Sequence, residues 1–403
     1  MSSQTRLDPI ALARGLRPLL SHHAADTERE RQIVPPVMQA LRDSGLLRMM
    51  FPRRADGPAC SVLTHLQTIA ELAKACPGTA WAFGLLSGVT GTAAGFPPAM
   101  TELLFQRGDE LFCSATSLTG KARRTDTGFR VSGSWGYGSG CMHADWALNG
   151  ILLVDADDNV IDSGLALIPL RDAAVSIRPS WDVLGVLGSG SNTIVADDVA
   201  VPEALVVLNS GAPTREQLLA MPALEPRDLW PMEPRFPLGV LAPMLGAAEA
   251  MLEQVRAAMA GRNVVGWRYD NQAQSQTLVA QLGEAAMEID SAWLHIRRAA
   301  AALDEIAPVR ALSGFDKAQV QADSGHAMDL LRRAGERLMD IAGPSGFALS
   351  NPLQRFWRDL SFGSRHNAMN SRLSLELYGR ALLDQPSNLH LLPDIGGRPS
   401  TAC

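Results

Sequence analysis

The first 108 residues carry apolar side chains at helical spacing. Val37 and Leu41, for example, lie one helical turn apart, and such a stripe covers one face of an amphipathic helix. Cys76-Pro77-Gly78-Thr79 interrupts the pattern and is typical of the start of a new helix. The next stretch, residues 84–95, is rich in Gly, Ala, Ser and Thr, which lets another backbone or a flat ligand come close. The pattern predicts an N-terminal helical domain.

Short apolar runs separated by turn residues follow over residues 109–208. Asp126-Thr127-Gly128 and Asp157-Asp158-Asn159 are turn clusters of this kind. The runs themselves cover residues 129–132, 147–154, 164–168, 175–177 and 194–195. Their spacing predicts a small antiparallel β-barrel or sandwich as the central domain.

Helical periodicity returns in the last part of the chain. Residues 209–237 hold six prolines and little periodicity, so we expect a linker or an ordered crossing loop. Residues 238–383 contain long helical stretches, enough for a four-helix bundle. Residues 384–403 are expected to form an extended tail. The predicted fold class is therefore mainly α with a central β domain.

Composition and charge exclude several classes of protein. The 403 residues carry a formal net charge of −6 with no basic run, so nucleic acid is not an expected partner. The five cysteines are widely spaced without a C-x-x-C pair, which is typical of reduced thiols and predicts no metal site. No signal peptide or long charge-free apolar stretch is evident. We expect a cytoplasmic protein without membrane contact.

Nucleotide-binding fingerprints are also missing from the sequence. It contains neither G-x-G-x-x-G nor a Walker-type loop, which argues against a Rossmann site for NAD(P)H. An order of helical, β and helical domains then leaves the spaces between domains as the place for any cofactor.

Two segments of the central domain resemble acyl-CoA dehydrogenases. The first is Gly128-Phe129-Arg130-Val131-Ser132-Gly133-Ser134-Trp135-Gly136-Tyr137-Gly138-Ser139-Gly140. The second is Gly185-Val186-Leu187-Gly188-Ser189-Gly190-Ser191-Asn192, continuing through Asp198-Val199-Ala200-Val201-Pro202. Both occur in the order and at the separation found in that family. The resemblance extends over the whole chain and implies an acyl-CoA dehydrogenase-like fold with a flavin against the first segment.

The C-terminal bundle departs from the acyl-CoA dehydrogenases that use a glutamate base. Those enzymes carry the glutamate shortly after an Arg-Asp pair, whereas Arg358-Asp359 is followed by Leu360-Ser361-Phe362-Gly363-Ser364-Arg365-His366-Asn367. This run, with Ser139-Gly140-Cys141-Met142-His143-Ala144-Asp145-Trp146, resembles the two-component flavin-dependent monooxygenases. That branch includes the oxygenase components of p-hydroxyphenylacetate hydroxylase, the steroid phenol hydroxylases and dibenzothiophene monooxygenase. Histidine, with an ordinary pKa of about 6.5, suits proton transfer near neutral pH.

The resemblance assigns roles to individual residues. His366 would position and deprotonate the substrate, while Ser139 would support a flavin C4a-hydroperoxide. The residues implied for cofactor binding are Ser114, Trp135, Ser139, Arg262, Gly343 and Ser345. Those implied for substrate binding are Ser87, His366 and Asn367. Because Ser87 stands where the hydroxylases often have a histidine, a substrate larger or less polar than a simple phenol is expected.

The implied activity is hydroxylation of an aromatic or polycyclic molecule. Reduced FAD or FMN would arrive from a separate NAD(P)H-flavin reductase, and molecular oxygen would be the co-substrate. The resemblance also implies a homotetramer whose cofactor sites are shared between subunits.

Three alternatives stay open on the sequence. The first is an acyl-CoA dehydrogenase with a displaced base, for which Glu249, Glu253 and Asp359 are the candidates. The second is an N-oxygenase that acts on an amine, as the nitrososynthases of the same branch do. The third is a flavin-free scaffold, against which the intact glycine and serine motifs argue. The sequence does not choose the flavin, the substrate or the oxidised atom.

Overall fold

The N-terminal part of the chain is helical in a computed structural model, which describes residues 8–397. Proline starts several of its helices, at the position where the missing N–H leaves no hydrogen bond unmade. Ser61 accepts a hydrogen bond from Thr64 N and caps one of them. The helices are α1 (Pro9–His22), α2 (Ala24–Glu30), α3 (Pro35–Asp43), α4 (Val62–Ala73), α5 (Pro77–Ala93) and α6 (Pro98–Leu104).

The small residues of α5 allow close packing on three sides. A side chain at Gly91 would lie 2.4 Å from Met50 Cβ, and one at Gly84 would lie 2.8 Å from Ile69 Cδ1. At the start of the helix, a side chain at Gly78 would lie 3.0 Å from the backbone nitrogen of Gly188. Helix α5 therefore touches the rest of the helical domain and a loop of the central domain at backbone distance.

The central domain is one seven-stranded mixed sheet, with the order β5-β6-β2-β1-β3-β4-β7. The expectation of a purely antiparallel barrel or sandwich was wrong, because β1 and β3 are parallel neighbours. The strands are β1 (Phe112–Thr125), β2 (Gly128–Gly138), β3 (Trp146–Val154), β4 (Val160–Pro169), β5 (Val175–Arg178), β6 (Asn192–Pro202) and β7 (Val206–Leu208).

The parallel pair follows from the path of the chain. It runs out along β1 and returns along β2, whose hairpin turn contains Asp126 and Thr127. Strand β3 therefore starts at the same end as β1 and lies on its opposite edge, so β2 itself replaces the usual helical crossover.

The C-terminal part is again helical and is built around three long helices. Helix α8 is long and apolar enough to cross a membrane, but 72% of its most apolar window is buried inside the protein, as in a core helix. The helices are α7 (Arg215–Leu219), α8 (Arg235–Met259), α9 (Gln276–Ala301), α10 (Gly314–Ala342), α11 (Leu353–Gly363) and α12 (Ser371–Leu382).

Two segments without helical periodicity are ordered in the structure. The proline-rich segment contains α7, which Thr214 and Gln217 cap reciprocally. The described part of the tail packs on the bundle, where Leu392 and Ile395 join the core formed with Leu377 of α12. Residues 398–403 of the expected tail lie outside the described residues.

The Arg-Asp pair of α11 joins the bundle to the central sheet. Arg358 donates to the carbonyl of Leu184 at 2.8 Å, and Asp359 accepts the amide of Val186 at 2.5 Å. Between them, Gly185 is required because a side chain there would lie 2.5 Å from the Arg358 carbonyl. Burial raises the pKa of Asp359 to about 7. This clamp holds the second family-like segment against the end of α11.

Candidate active site

A chain of buried hydroxyl groups surrounds Ser139. Its Oγ lies 2.7 Å from Ser191 Oγ, which in turn lies 2.7 Å from Ser189 Oγ. Trp81 of α5 donates from its indole Nε1 to Ser139 Oγ at 3.2 Å. All three hydroxyls are buried, so their proton arrangement is constrained by these contacts.

The hydroxyl chain has one arrangement that suits a bound acceptor. Because indole N–H can only donate, one lone pair of Ser139 is already occupied by Trp81. If Ser189 donates to Ser191 and Ser191 donates to Ser139, the single proton of Ser139 remains available. The reverse order would leave the proton of buried Ser189 without an acceptor among the described residues. An acceptor next to Ser139 thus favours a hydroxyl that donates outward.

His366 follows α11 and lies between two aromatic rings. Its ring centroid is 5.8 Å from that of Trp81 and 5.8 Å from that of Phe236 in α8. Burial in this apolar surrounding lowers the pKa of His366, so the neutral imidazole is favoured near pH 7. His366 is half-buried.

The backbone determines which nitrogen of His366 carries the proton. Nδ1 accepts a hydrogen bond from the amide of Ala368 at 3.2 Å, so the neutral ring carries its hydrogen on Nε2. His366 can then donate from Nε2 to a substrate oxygen, but it has no free lone pair there to remove a proton. This geometry favours a donor role for His366, and both its expected roles, deprotonating and positioning the substrate, stay predictions.

Trp81 brings the two predicted catalytic residues to one place. Its indole ring packs at a tilt against the His366 ring, and its Nε1 donates to Ser139. Phe236 closes the other side of the His366 ring. A flat molecule next to Trp81 would therefore meet a donor for a substrate oxygen and a donor for a cofactor.

Asn367 lines a cavity beside His366. The cavity has a volume of about 110 Å³ and lies between the start of α8, α10 and the tail. Phe236, Gln321 and Leu389 also line it. Asn367 is exposed, and the structure places it at the edge of the predicted substrate region.

Ser87 is a fully buried residue that contacts a histidine of α4. His65 Nε2 lies 2.8 Å from Ser87 Oγ, and Ser87 donates to the carbonyl of Phe83 at 2.7 Å. Burial, followed by the charges of Arg235 and Arg227, lowers the pKa of His65 to about 3. Sequence reasoning found no second feature at His65, because only the packing of α4 on α5 brings it to Ser87.

The neutral state of His65 predicts a pH-dependent stability. The unfolded chain takes up a proton below about pH 6.5, whereas folded His65 does so only near pH 3. The contribution of neutral His65 to the free energy of unfolding is therefore fully present well above pH 6.5 and is lost as the pH decreases. Between pH 7 and 5, the free energy of unfolding should fall by about 2 kcal/mol less in His65→Asn than in the wild type. Urea unfolding at both pH values measures this, and equal losses would show that His65 is protonated in the folded state.

Trp135 and Ser114 occupy different positions on the sheet. Trp135 is fully buried, donates to the carbonyl of Gly150 at 2.7 Å and packs on Gly120 and Gly133. Its indole has no free surface for the predicted contact with a flavin ring, which leaves only its backbone for that role. Ser114 is half-buried on β1, beside Leu148 of β3. Its role in cofactor binding stays a prediction.

The remaining cofactor candidates form a second group at the end of α10. Arg262 Nη1 and Ser345 Oγ both donate to the carbonyl of Ala342, at 3.1 and 3.2 Å. Gly343 has a φ of +62°, and no atom lies within 4 Å of where its side chain would begin. Arg262, Gly343 and Ser345 therefore border open space together. No hydrogen bond among the described residues links them to Ser139 or His366.

The carboxylates that a displaced dehydrogenase base would require are engaged elsewhere. Glu249 pairs with Lys74 at 3.1 Å and accepts from Trp293 at 2.7 Å. Glu253 lies in the same charge cluster, at 3.6 Å from Lys74. Asp359 accepts the backbone amide of Val186 in the clamp described above. Within residues 8–397, no group of three His, Cys, Asp or Glu side chains is arranged to hold a metal ion.

Family comparisons agree with this architecture. Residues 14–95 match the acyl-CoA dehydrogenase N-terminal domain, and residues 238–371 match the acyl-CoA dehydrogenase C-terminal domain. Together the two matches cover more than half of the chain. The chain belongs to the acyl-CoA dehydrogenase family. The sheet and its hydroxyl chain lie between the two matched segments of this family member.

Individual relatives extend over nearly the whole chain. The oxygenase component of the FADH2-dependent resorcinol hydroxylase of Rhizobium sp. (strain MTP-10005) is 28% identical, over 92% of each chain. The flavin-dependent monooxygenase oxygenase subunit HsaA of Rhodococcus jostii (strain RHA1) is 29% identical, over 90% of this chain and 95% of that protein. The structure of XiaF from Streptomyces sp. in complex with FADH2 and glycerol has a TM-score of 0.90 and 30% identity, covering 96% of this chain and 98% of that one.

Proposed function

We propose that this protein is the oxygenase component of a two-component flavin-dependent monooxygenase that hydroxylates an aromatic or polycyclic molecule. The observation that carries the proposal is the contact of Trp81 with both Ser139 and His366. This contact places a donor for the cofactor beside a donor for the substrate, while the candidate carboxylate bases Glu249, Glu253 and Asp359 are engaged elsewhere. The relatives are flavin-dependent monooxygenases and aromatic hydroxylases over the same length of chain.

The residues around Ser139 fit a reduced flavin. The hydroxyl chain leaves the Ser139 proton available to an acceptor such as a ring nitrogen or carbonyl. Reduced FAD is favoured over FMN because the resorcinol hydroxylase is FADH2-dependent and XiaF binds FADH2. When bound, the flavin supplies the two electrons that activate molecular oxygen.

The protein's own residues position the substrate. His366 donates from Nε2 to the substrate hydroxyl oxygen or phenolate. The rings of Trp81 and Phe236 pack on the two sides of the His366 ring and hold it in place. A charge-assisted hydrogen bond of this kind stabilises a substrate that binds as the electron-rich phenolate, with its proton released to solvent, and this form is the more reactive one toward an electrophilic oxygen. The apolar walls also exclude water from the reacting atoms.

The second group of cofactor candidates supports a homotetramer with shared sites. Arg262 and the Gly343 loop are next to large exposed apolar residues, which a soluble protein ordinarily buries in an interface. Val265 is 92% exposed, Trp267 71% and Leu349 89%. In the proposed assembly this face of one subunit covers the flavin phosphates of its neighbour. The proposed location is the cytoplasm.

Dependence on a separate reductase tests the proposal. The purified protein should oxidise no NADH alone, because it has no dinucleotide fingerprint. After a flavin reductase and FAD are added, oxygen consumption should rise on addition of a phenolic substrate, and a hydroxylated product should form. NADH oxidation by the protein alone would contradict the two-component assignment. Anaerobic reduction of bound FAD by an acyl-CoA would instead assign dehydrogenase activity.

A further inference from the structure

The first residue of α8 is an arginine without a counter-charge. Arg235 donates from Nη2 to Thr92 Oγ1 at 2.9 Å, and this is the one hydrogen bond of its side chain within the described residues. No described carboxylate lies within ion-pair distance of its guanidinium. Partial burial lowers the pKa of Arg235, whose side chain is half-buried and has no described carboxylate as a partner. A guanidinium has five N–H donors, so it lacks an acceptor here.

Two more donors close to Arg235 are unpaired. Arg227 uses Nη2 for the carbonyl of Gly91 at 2.7 Å, but its buried Nη1 has no partner. Trp230, whose ring lies 5.8 Å from the Arg227 guanidinium, has a buried indole Nε1 that is also unpaired. Burial and the charge of Arg235 lower the pKa of Arg227 to about 10. Unmet donors of this number are rare in a folded interior and indicate a missing acceptor.

The nearby carboxylates are already occupied. Asp228 and Glu225 both pair with Arg54, at 2.7 and 3.5 Å. Glu233 pairs with Lys317 at 3.7 Å. Three arginines, at positions 54, 227 and 235, and Lys317 therefore stand against three carboxylates, and this region keeps a net positive charge.

The positive charge of these arginines also reaches His65 of α4. After burial, the two largest causes of its lowered pKa are the charges of Arg235 and Arg227. A negatively charged ligand next to these arginines would be attracted by the field that disfavours a protonated His65.

Arg235 and Arg227 lie near the same face of α5 that contacts His366. Phe236, which contacts His366, is the neighbour of Arg235, and a side chain at Gly239 one turn later would meet no atom within 4 Å. Trp81 and Thr92 lie on the same face of α5, three turns apart. Trp81 contacts His366, and Thr92 accepts the hydrogen bond from Arg235. The residues between them on that face are Leu85, Gly88 and Val89, all half-buried. At 1.5 Å per residue, the two ends are about 16 Å apart along the helix axis.

We propose that the substrate is an elongated aromatic acid whose carboxylate binds Arg235 while its hydroxyl-bearing ring lies against His366. This inference rests on the proposed function and adds the substrate class. Arg235 forms a paired hydrogen bond with the carboxylate, and Arg227 and Trp230 provide further donors. The proposed molecule is longer than a single ring, such as a fused bicyclic acid or a ring with a side arm, because Trp81 and Thr92, which contact the two ends of the site, are about 16 Å apart along α5.

Binding of a matched pair of probes tests the inference. The probes are 6-hydroxy-2-naphthoic acid and its methyl ester, titrated calorimetrically into the protein loaded with FADH2 under anaerobic conditions. The wild type should bind the acid about tenfold to a hundredfold more tightly than the ester, as expected for a charge-assisted hydrogen bond. Arg235→Met should remove this preference and change the affinity for the ester by less than about threefold. Arg235→Lys should restore part of it, since the charge returns without the paired geometry.

Arg372→Met is the matched control, because Arg372 is an exposed arginine of α12. It should keep the preference for the acid. Equal binding of acid and ester by the wild type would overturn the inference, as would a preference that survives in Arg235→Met. If Arg235→Met weakens FADH2 binding and leaves the preference for the acid unchanged, the anion at Arg235 is a flavin phosphate and the inference is wrong. Thermal melting checks that each variant is folded. If Arg235→Met unfolds, the preference for the acid over the ester in the wild type and in Arg235→Lys tests the inference.

Failure of this inference is distinguishable from failure of the proposed function. The titration involves no oxygen and no turnover, so Arg235-dependent binding of the acid without hydroxylation would contradict only the proposed function. Hydroxylation of both probes with equal affinity would contradict only the assignment of an acidic substrate.

Discussion

His366→Ala is expected to uncouple oxygen consumption from product formation. The variant loses the Nε2 donor to the substrate oxygen, and loss of a hydrogen bond to a charged group costs about 1.5 to 3 kcal/mol. We therefore expect the ratio of hydroxylated product to hydrogen peroxide to fall about tenfold to a hundredfold. Oxygen consumption itself should continue, because Ser139 and its hydroxyl chain are unchanged.

A glutamine at the same position separates donation from proton removal. His366→Gln supplies an amide N–H but no base, and it should keep the product ratio within about tenfold of the wild type. This result follows from the hydrogen bond between Nδ1 and the Ala368 amide, which leaves Nε2 protonated. If the glutamine variant is as uncoupled as the alanine variant, His366 acts as a base and the tautomer assigned here is not the working one.

Ser139→Ala should release hydrogen peroxide even without substrate. The substitution removes the one hydroxyl proton that the chain of Ser189 and Ser191 directs outward. In comparable sites, the loss of a buried hydrogen-bond donor to a developing negative charge lowers the rate constant about a hundredfold. The lifetime of the oxygenated flavin, followed by stopped-flow absorbance after an oxygen pulse, should shorten by about that factor.

Ser191→Ala is the matched control for Ser139. It removes a hydroxyl of the same size from the same chain, but Ser139 keeps its own proton and its contact with Trp81. The lifetime should fall only severalfold, about the effect of one neutral hydrogen bond. Equal effects in Ser139→Ala and Ser191→Ala would mean that Ser139 acts as part of the packing and not as a donor.

Periodicity was a reliable guide where an element has one buried face. The five apolar runs predicted in the central domain each lie within β2 to β6, and residues 238–383, predicted to contain long helical stretches, hold most of α8 and all of α9 and α10. It failed for β1, whose second half contains the exposed charged residues Lys121, Arg123 and Arg124. The parallel pairing of β1 with β3 also escaped prediction, because local spacing carries no information about which edge a returning strand occupies.

The sequence indicated some residues of the candidate site, and others became evident only in the structure. The resemblance of two short segments, and not spacing, indicated Ser139 and His366, which the structure joins through Trp81. His65 and Arg235 could not be found, since each matters through contacts that depend on the packing of α5 with α4 and α8. The tautomer of His366 likewise depends on a backbone turn after α11 that no sequence pattern predicts.

The most direct test of the central claim is isotope labelling of the product with ¹⁸O₂. The protein, a flavin reductase, NADH, FAD and a phenolic acid are mixed under labelled oxygen, and the product is analysed by mass spectrometry. A monooxygenase inserts one oxygen atom from O₂ and releases the other as water, so the new hydroxyl should carry the label. A product with unlabelled oxygen, or an unsaturated product formed without oxygen, would contradict the account.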